Sequence, residues 1–308
     1  MKYFSLFSGI GGFELGIKQA YESNIKHAHL SKESQQKKRP QGRVRSTDKR
    51  EVLLHARDRS APLCVGYSEI DKYAIQIYEK HFDHKNFGDI RKINAGSLPD
   101  FDLLIGGFPC QSFSVAGKRK GFKDTRGTLF FEIARIIASK KPKLLLLENV
   151  KGLLSHDGGR TFGTILSSLD ELGYDVQWEV LNSKNFGVPQ NRERVFIVGH
   201  LRKESRPEIF SLRKDDTGNS KQHVPKSQTT RGVRNMSDLK SRWRHSMRIR
   251  KLTPKECERL QGFPDGWTEG VSDTQRYKTL GNAVTVNVVA EIVKRIIGIE
   301  KNNYVQRK

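Results

Sequence analysis

Cysteine and long apolar runs are both scarce in this chain of 308 residues. The three cysteines, Cys64, Cys110 and Cys257, stand far apart without paired spacing, which argues against a disulfide framework and a structural zinc site. We therefore expect no metal and a reducing, cytoplasmic setting. No apolar run is long enough to cross a membrane, and serines and glycines break residues 1–12, which lack the apolar centre of a signal peptide.

Acidic residues are few relative to basic ones. The chain carries 56 Lys/Arg against 34 Asp/Glu, a formal net charge of +22. Residues 23–61 and 201–250 hold most of the excess, with 11 basic against 4 acidic residues in the first and 14 against 5 in the second. Such an excess favours a polyanionic partner through phosphate contacts. Solvated or disordered basic segments would have the same composition.

Apolar strands alternate with amphipathic helices along the rest of the chain. Strands are predicted near residues 3–7, 65–69, 101–105, 143–147 and 194–198, and helices near 13–17, 73–81, 128–139 and 160–172. This alternation predicts an α/β fold with a mainly parallel sheet covered by helices on both faces. Residues 23–61 interrupt it where a short connection is normal, so we interpret them as a basic insertion.

Residues 201–249 are likewise basic and irregular, and a helix is predicted to follow them. Thr253 is its expected cap, Pro254 suits the first helical position, and Glu256 completes a capping box.

Polar residues fall at the predicted carboxyl ends of the first strands, where parallel sheets bind ligands. The Gly9-Ile10-Gly11-Gly12 turn lets a ligand approach the backbone, but Glu14 stands where the dinucleotide fingerprint has its third glycine. Glu69 is placed to accept hydrogen bonds from ribose hydroxyls, with Ile70 beside it to pack on an adenine. Asp89 is a candidate for binding the adenine's exocyclic amine. Each carboxylate alone is more commonly a surface residue.

The strongest local signal lies at residues 106–114, directly after a buried strand, where the chain reads Gly-Gly-Phe-Pro-Cys-Gln-Ser-Phe-Ser. The glycines and Pro109 would project Cys110 into a cleft, which suits a nucleophilic cysteine because it needs partial exposure and positive surroundings. An isolated cysteine is more often a core residue, but this context favours the nucleophile.

Three further charged groups fall near this segment. Glu148 ends a run of leucines, where burial would raise its pKa and let it donate a proton near neutral pH. Arg192 and Arg194 lie on one face if their segment is extended, and they could bind a phosphate or a base carbonyl and favour the thiolate of Cys110. Structural ion pairs would explain these arginines equally well.

Taken in order, these motifs resemble those of the DNA (cytosine-5) methyltransferase family. The resemblance covers nearly all of residues 1–20, 62–200 and 248–295. It rests on six segments, at residues 7–12, 106–114, 148–150, 190–194, 250–264 and 281–284.

The resemblance implies a Rossmann-like fold and an enzyme that depends on S-adenosylmethionine. This enzyme would transfer the methyl group of that cofactor to C5 of cytosine in double-stranded DNA. The cytosine would be flipped out of the helix. Cys110 would add to its C6, Glu148 would act at N3, and Arg192 and Arg194 would steady the base. By similarity, the cofactor contacts would be Phe7, Gly9, Gly11, Glu69, Ile70, Asp89, Leu129, Asn282 and Ala283.

The same resemblance divides the chain into a catalytic and cofactor-binding domain (1–200), a small irregular target-recognition domain (201–275) and a C-terminal return onto the first (276–308). Expected partners are double-stranded DNA and, in a restriction-modification system, a cognate endonuclease; the chain is expected to be monomeric. Two alternatives stay open. One is methylation of tRNA cytosine, and the other is a catalytically silent nucleic-acid-binding protein with a damaged cofactor site.

Overall fold

The computed structural model describes residues 1–36, 61–109, 129–202, 209–210 and 250–306. Its strands are β1 (Lys2–Leu6), β2 (Leu63–Ser68), β3 (Leu103–Gly107), β4 (Leu144–Val150), β5 (Tyr174–Asn182) and β6 (Glu193–Leu201). Its α-helices are α1 (Gly12–Gln36), α2 (Lys72–Tyr78), α3 (Leu129–Lys140), α4 (Arg160–Glu171), α5 (Pro254–Leu260), α6 (Asp273–Asn282) and α7 (Val286–Gln306). Short 3₁₀ segments lie at Ile90–Lys92, Ala95–Ser97, Lys151–Leu154, His156–Gly159 and Ser183–Phe186.

The strands of the described residues form one sheet in the order β2-β1-β3-β4-β6-β5. β1 pairs in parallel with β2 and β3, and β3 pairs in parallel with β4. β6 runs antiparallel to both of its neighbours, β4 and β5. The predicted α/β class and mainly parallel sheet are confirmed, whereas β5 and the antiparallel direction of β6 were not predicted.

Helices cover both faces of the sheet, as predicted. Successive side chains of a strand point to opposite faces. On one face, Leu104 and Leu145 pack in a core with residues of α3 and α4. On the other face, Leu103 and Leu146 pack with residues of α1 and α7. The central strands are therefore buried on both sides, which explains their nearly unbroken apolar sequences.

The first helix is longer than predicted. α1 continues to Gln36, so the basic insertion expected at residues 23–61 begins inside a helix. Residues 23–36 contain neither glycine nor proline, and the first such residue is Pro40, so no strong helix breaker stops α1 earlier. The remainder of the insertion, residues 37–60, lies outside the described residues. None of the helices in the described part of the chain could cross a membrane.

The start of α5 agrees with its predicted cap. The Thr253 hydroxyl accepts a hydrogen bond from the Glu256 N–H at 3.3 Å, and the Glu256 carboxylate accepts one from the Thr253 N–H at 2.7 Å. Pro254 occupies the first turn. This reciprocal pair satisfies two backbone donors that the helix itself leaves unpaired.

The chain leaves the sheet at the edge opposite the carboxyl ends of the parallel strands, because β6 runs against them and ends at Leu201. Ile209 is 1% exposed and packs in the same core as α7. Its carbonyl accepts a hydrogen bond from Arg295 at 3.1 Å. Most of the predicted recognition region, residues 203–208 and 211–249, lies outside the described residues.

Candidate active site

The carboxyl ends of four parallel strands meet at one edge of the sheet and carry most of the predicted site. β1 leads into Phe7, β2 into Glu69 and β3 into Pro109, while β4 contains Glu148 near its end. Because β6 is antiparallel, its first residues reach the same edge, and Arg194 lies opposite the end of β4. The sheet therefore gathers groups that are far apart in sequence.

Glu148 and Arg194 form an ion pair at this edge. The Arg194 Nε lies 3.1 Å from the Glu148 Oε1, and the two side chains are only 21% and 12% exposed. Burial raises the pKa of Glu148, although Arg194 and Arg192 oppose part of this shift. A Cβ on Gly107 would lie 3.0 Å from Glu148 Oε2, so glycine leaves room for the carboxyl. The result is an oriented carboxyl that holds a proton more readily than an exposed glutamate.

Asn149 fixes the segment that leads to the predicted nucleophile. Its side chain is buried, and its Nδ2 donates a hydrogen bond to the Phe108 carbonyl at 2.8 Å. Its Oδ1 accepts from the Val150 N–H at 2.9 Å. This contact ties β4 to the residues after β3, of which Pro109 is exposed. Cys110 itself lies outside the described residues, so its role stays a prediction.

Arg192 takes a different position from Arg194. One of its terminal nitrogens, Nη2, donates to the carbonyls of Ala283 at 2.7 Å and Gly281 at 3.1 Å. Its Nε is buried without a hydrogen-bond partner among the described residues. Burial, together with the neighbouring Arg194, lowers the pKa of Arg192 to about 10. Arg192 thus joins the start of β6 to the C-terminal return, and only Arg194 contacts Glu148.

The turn after β1 has an unusual backbone. Phe7, Gly9 and Gly11 have φ angles of +53°, +56° and +85°. A Cβ on Gly11 would lie 2.5 Å from the ring of Phe82, so only glycine fits there. A Cβ on Gly9 would meet nothing within 4 Å, which leaves open space beside the backbone. The turn therefore presents an accessible main chain, held by its own geometry.

Glu69 is anchored beside this turn. Its Oε2 accepts from the Gly9 N–H at 2.9 Å, and its Oε1 accepts from the N–H groups of Ile70 at 2.7 Å and Asp71 at 2.8 Å. A carboxylate offers about four acceptor positions, so one remains at Oε2 for a ligand hydroxyl. The neighbouring Ile70 is 66% exposed, a suitable apolar surface for a flat ring. Asn86, which the sequence analysis did not single out, bonds the Glu69 carbonyl at 3.3 Å.

The other predicted cofactor residues lie around this edge. The Asp89 carboxylate pairs with Arg91 at 2.6 Å, and this pairing lowers the pKa of Asp89. Leu129 is the first residue of α3 and is partly buried. Asn282 is exposed at the end of α6, and Ala283, which follows it, is 6% exposed.

These residues fit an adenosyl cofactor by their chemistry. Glu69 is a fixed acceptor, Ile70 offers an exposed apolar face, and a Cβ on either Gly9 or Gly88 would meet nothing within 4 Å. Together they supply a hydroxyl acceptor, a packing surface and an open backbone. Within the described residues, no group of three or more His, Cys, Asp or Glu side chains could hold a metal ion.

The fold and this edge define an α/β protein with a glycine turn after β1 and, beside the end of β3, a glutamate whose side chain is 12% exposed. Solved structures share the fold. The S. pombe Dnmt2 methyltransferase superposes with a TM-score of 0.62 at 17% identity, covering 96% of this chain and 97% of that one. A putative DNA modification methyltransferase from an E. coli prophage gives a TM-score of 0.62 at 18% identity, covering 98% and 99%.

Sequence comparison gives the family. The model for C-5 cytosine-specific DNA methylases matches residues 55–242 and 206–298. Type II methyltransferase M1.ScrFI of Lactococcus lactis subsp. cremoris is 42% identical over 277 residues, 75% of this chain and 71% of that protein. Type II methyltransferase M.NlaX of Neisseria lactamica is 35% identical over 337 aligned residues, 96% of each chain. This chain belongs to the C-5 cytosine-specific DNA methylase family, which confirms the predicted resemblance. It is a DNA (cytosine-5) methyltransferase.

Proposed function

We propose that this enzyme transfers the methyl group of S-adenosylmethionine to a cytosine flipped out of double-stranded DNA, through a covalent bond between Cys110 and C6. The target C5 is a poor nucleophile and is inaccessible inside a duplex, so the base must leave the stack. The cofactor supplies an electrophilic methyl group on a sulfonium. The residues at the sheet edge supply the activation of the base.

Two groups of this chain, the Cys110 thiol and the Glu148 carboxyl, would activate the cytosine. The Cys110 thiolate forms a bond to C6, and the electron pair of the C5–C6 double bond moves to C5. Glu148 donates a proton or hydrogen bond at N3, which favours this electron shift. S-adenosylmethionine would supply the methyl group for C5 and would leave as S-adenosylhomocysteine. A base then takes the C5 proton, the electron pair of that C–H bond restores the C5–C6 double bond, and the bond from C6 to sulfur breaks to release the Cys110 thiolate.

One observation carries this proposal: the largely buried Glu148 carboxyl, on a side chain that is 12% exposed and paired with Arg194 at 3.1 Å, lies on β4 next to the strand that leads to Cys110. Burial raises the pKa of Glu148, so the carboxyl can hold the proton that N3 requires. The Asn149 contact to the Phe108 carbonyl keeps the two strand ends together. Arg194 is suited to orient this carboxyl and to face the base, whereas Arg192 positions the 281–283 segment.

On the cofactor side, we assign the ribose hydroxyls to Glu69 and the adenine to Ile70 and Asp89. The backbone of residues 7–11 would hold the methionine end, and Leu129, Asn282 and Ala283 would line the rest of the pocket. Asp89 already pairs with Arg91. An adenine amine would therefore share the carboxylate with this arginine.

The names of two relatives support a proposal for the biological setting. M1.ScrFI and M.NlaX are type II methyltransferases by name, and we propose the same restriction-modification role here, in the cytoplasm, as a monomer whose cognate endonuclease shares its site. We keep residues 201–275 as the recognition domain and residues 276–308 as the return. Two strongly basic segments, 23–61 and 201–250, are suited to contact DNA phosphates.

The test is covalent trapping. The protein is incubated with labelled S-adenosylmethionine and duplex DNA containing 5-fluorocytosine, in which fluorine replaces the hydrogen that the last step must remove. Wild type should form an adduct that survives denaturing electrophoresis, and Cys110→Ala should form none. Cys257→Ala is the matched control, because Cys257 is a half-buried cysteine on α5 and should leave trapping intact.

Each other outcome has a meaning. Adducts with Cys110→Ala would refute the assigned nucleophile. Methylation of tRNA in place of DNA would favour the first alternative. Absence of S-adenosylmethionine binding by wild type would favour a silent nucleic-acid-binding protein.

A further inference from the structure

The loop between α5 and α6 is held by a buried carboxylate. Glu258 on α5 is fully buried and accepts hydrogen bonds from the N–H groups of Gly266 and Thr268, each at 2.8 Å. It also bonds the Thr268 hydroxyl and pairs with Arg276 on α6 at 3.2 Å. Burial alone would raise the pKa of Glu258, but these bonds outweigh it and hold the pKa below its usual value. The loop thus has one defined shape.

Trp267 lies in this loop and is fixed on both its edge and its face. Its side chain is 7% exposed, and the indole Nε1–H donates to the Ile10 carbonyl at 2.9 Å. The ring stacks on His81, with centroids 3.6 Å apart and planes inclined by 9°. The His81 Nε2 also bonds the Trp267 carbonyl at 2.8 Å. The direction of the indole N–H is therefore set by the fold.

The acceptor of this bond belongs to the glycine turn. In a trans peptide the carbonyl and the following N–H point in opposite directions. The Ile10 carbonyl bonds Trp267, while the Gly11 N–H donates to the Ser8 carbonyl at 3.0 Å. The peptide plane between Ile10 and Gly11 is tied at both ends. Gly9, on the other side of Ile10, keeps its open space.

We infer that Trp267 is a positioning residue for the methyl donor: its indole N–H locks the Ile10–Gly11 peptide so that the turn is shaped before the cofactor binds. The inference rests on the proposed function, because it takes the turn as part of the cofactor site. A shaped turn lowers the cost of ordering the backbone on binding. Loss of the N–H should therefore weaken cofactor binding and leave the chemical step almost unchanged.

The experiment compares Trp267→Phe with Trp178→Phe by titration calorimetry with S-adenosylmethionine and by steady-state kinetics on duplex DNA. Phenylalanine keeps one aromatic ring and removes the N–H donor together with the second ring of the indole. Trp178, 46% exposed on β5, controls for the exchange itself. Trp267→Phe should raise the Kd and KM for the cofactor about tenfold, equivalent to about 1.4 kcal/mol. The kcat and the KM for DNA should stay within about twofold, and Trp178→Phe should match wild type.

If wild type binds S-adenosylmethionine, either of two results would overturn the inference and leave the proposed function standing. One is an unchanged cofactor Kd in folded Trp267→Phe, and the other is a tenfold fall in kcat at saturating cofactor. If wild type fails to bind S-adenosylmethionine, the proposed function fails, and the inference falls with it. If circular dichroism shows that Trp267→Phe does not fold, the cofactor Kd of His81→Ala is measured in its place. This variant removes the stacking partner and should raise the cofactor Kd; an unchanged Kd would overturn the inference.

Discussion

Replacing Glu14 by glutamine should flatten the pH dependence of stability. Glu14 lies in the first turn of α1 and is 1% exposed. The Tyr78 hydroxyl donates to its Oε1 at 3.2 Å, but Oε2 is buried without a hydrogen-bond partner among the described residues. Burial raises the pKa of Glu14 from 4.5 to about 7.

The shifted pKa of Glu14 makes the free energy of unfolding depend on pH. The folded state keeps a proton on Glu14 that the unfolded chain has released, so this contribution to stability is complete below about pH 4.5 and is lost as the pH rises through about 7. The whole shift corresponds to about 3 kcal/mol, of which about 2 kcal/mol is lost between pH 5.5 and 8.5. Glutamine cannot ionise and should lose none of it.

Other titrating groups near Glu14 remain the same in both proteins. Burial raises the pKa of Tyr3 and also that of Cys64, the latter to about 12, so neither ionises below pH 8.5. The His84 Nδ1 lies 2.8 Å from the Tyr78 hydroxyl, and burial lowers its pKa, but it is present in both variants. The difference between the two pH profiles therefore isolates Glu14.

The assay is urea unfolding of both proteins at pH 5.5 and 8.5, followed by circular dichroism. Between these pH values, wild type should lose about 2 kcal/mol more of its free energy of unfolding than Glu14→Gln. Glu22→Gln is the control, because Glu22 is exposed on the same helix. Parallel pH profiles for wild type and Glu14→Gln would refute the reasoning.

Three further predictions concern the site and its support. Glu148→Gln should lower kcat about 100-fold or more, because an amide cannot supply the proton at N3; near-normal turnover of DNA would contradict this. Glu69→Gln should raise the Kd for S-adenosylmethionine about tenfold, since one anchored acceptor oxygen is lost, and calorimetry showing an unchanged Kd would argue against the ribose assignment. Glu258→Ala should lower the free energy of unfolding by about 3 kcal/mol, because the N–H groups of Gly266 and Thr268 lose their acceptor and Arg276 loses one of its two carboxylate partners, and a loss below about 1 kcal/mol in urea would contradict this.

Much of the sheet edge where the carboxyl ends of β1 to β4 meet could be predicted from sequence, because strong local signals mark it. Buried apolar runs define β1 to β4, and glycines or polar residues at their ends mark where a ligand can approach. Glu69 and Glu148 were placed by this rule alone. Their hydrogen bonds could not be predicted, since the anchoring of Glu69 depends on Gly9, 60 positions away.

The remaining features were missed or have only distant signals. β5 lies at the edge of the sheet, and its apolar and polar residues alternate from Tyr174 to Val180, a strand pattern that was not among the predicted strands. The direction of β6 depends on its neighbours and leaves no local mark, so the separation of Arg192 from Arg194 could not be foreseen. The contact of Trp267 with Ile10 spans 257 positions.

Because β6 is antiparallel to β4, its two ends lie at opposite edges of the sheet. Strand β6 begins beside Arg192 and Arg194 at the edge where the carboxyl ends of the parallel strands meet, and it ends with Leu201 at the opposite edge. Ile209, a few residues later, is hydrogen-bonded to Arg295 of α7. Changes in length after Ile209 should leave the pairing of β4 with β6 in place, because both strands precede that segment. If residues 201–275 are the recognition domain, as proposed, insertions or deletions there would alter DNA recognition without altering the sheet that carries Glu148 and Arg194.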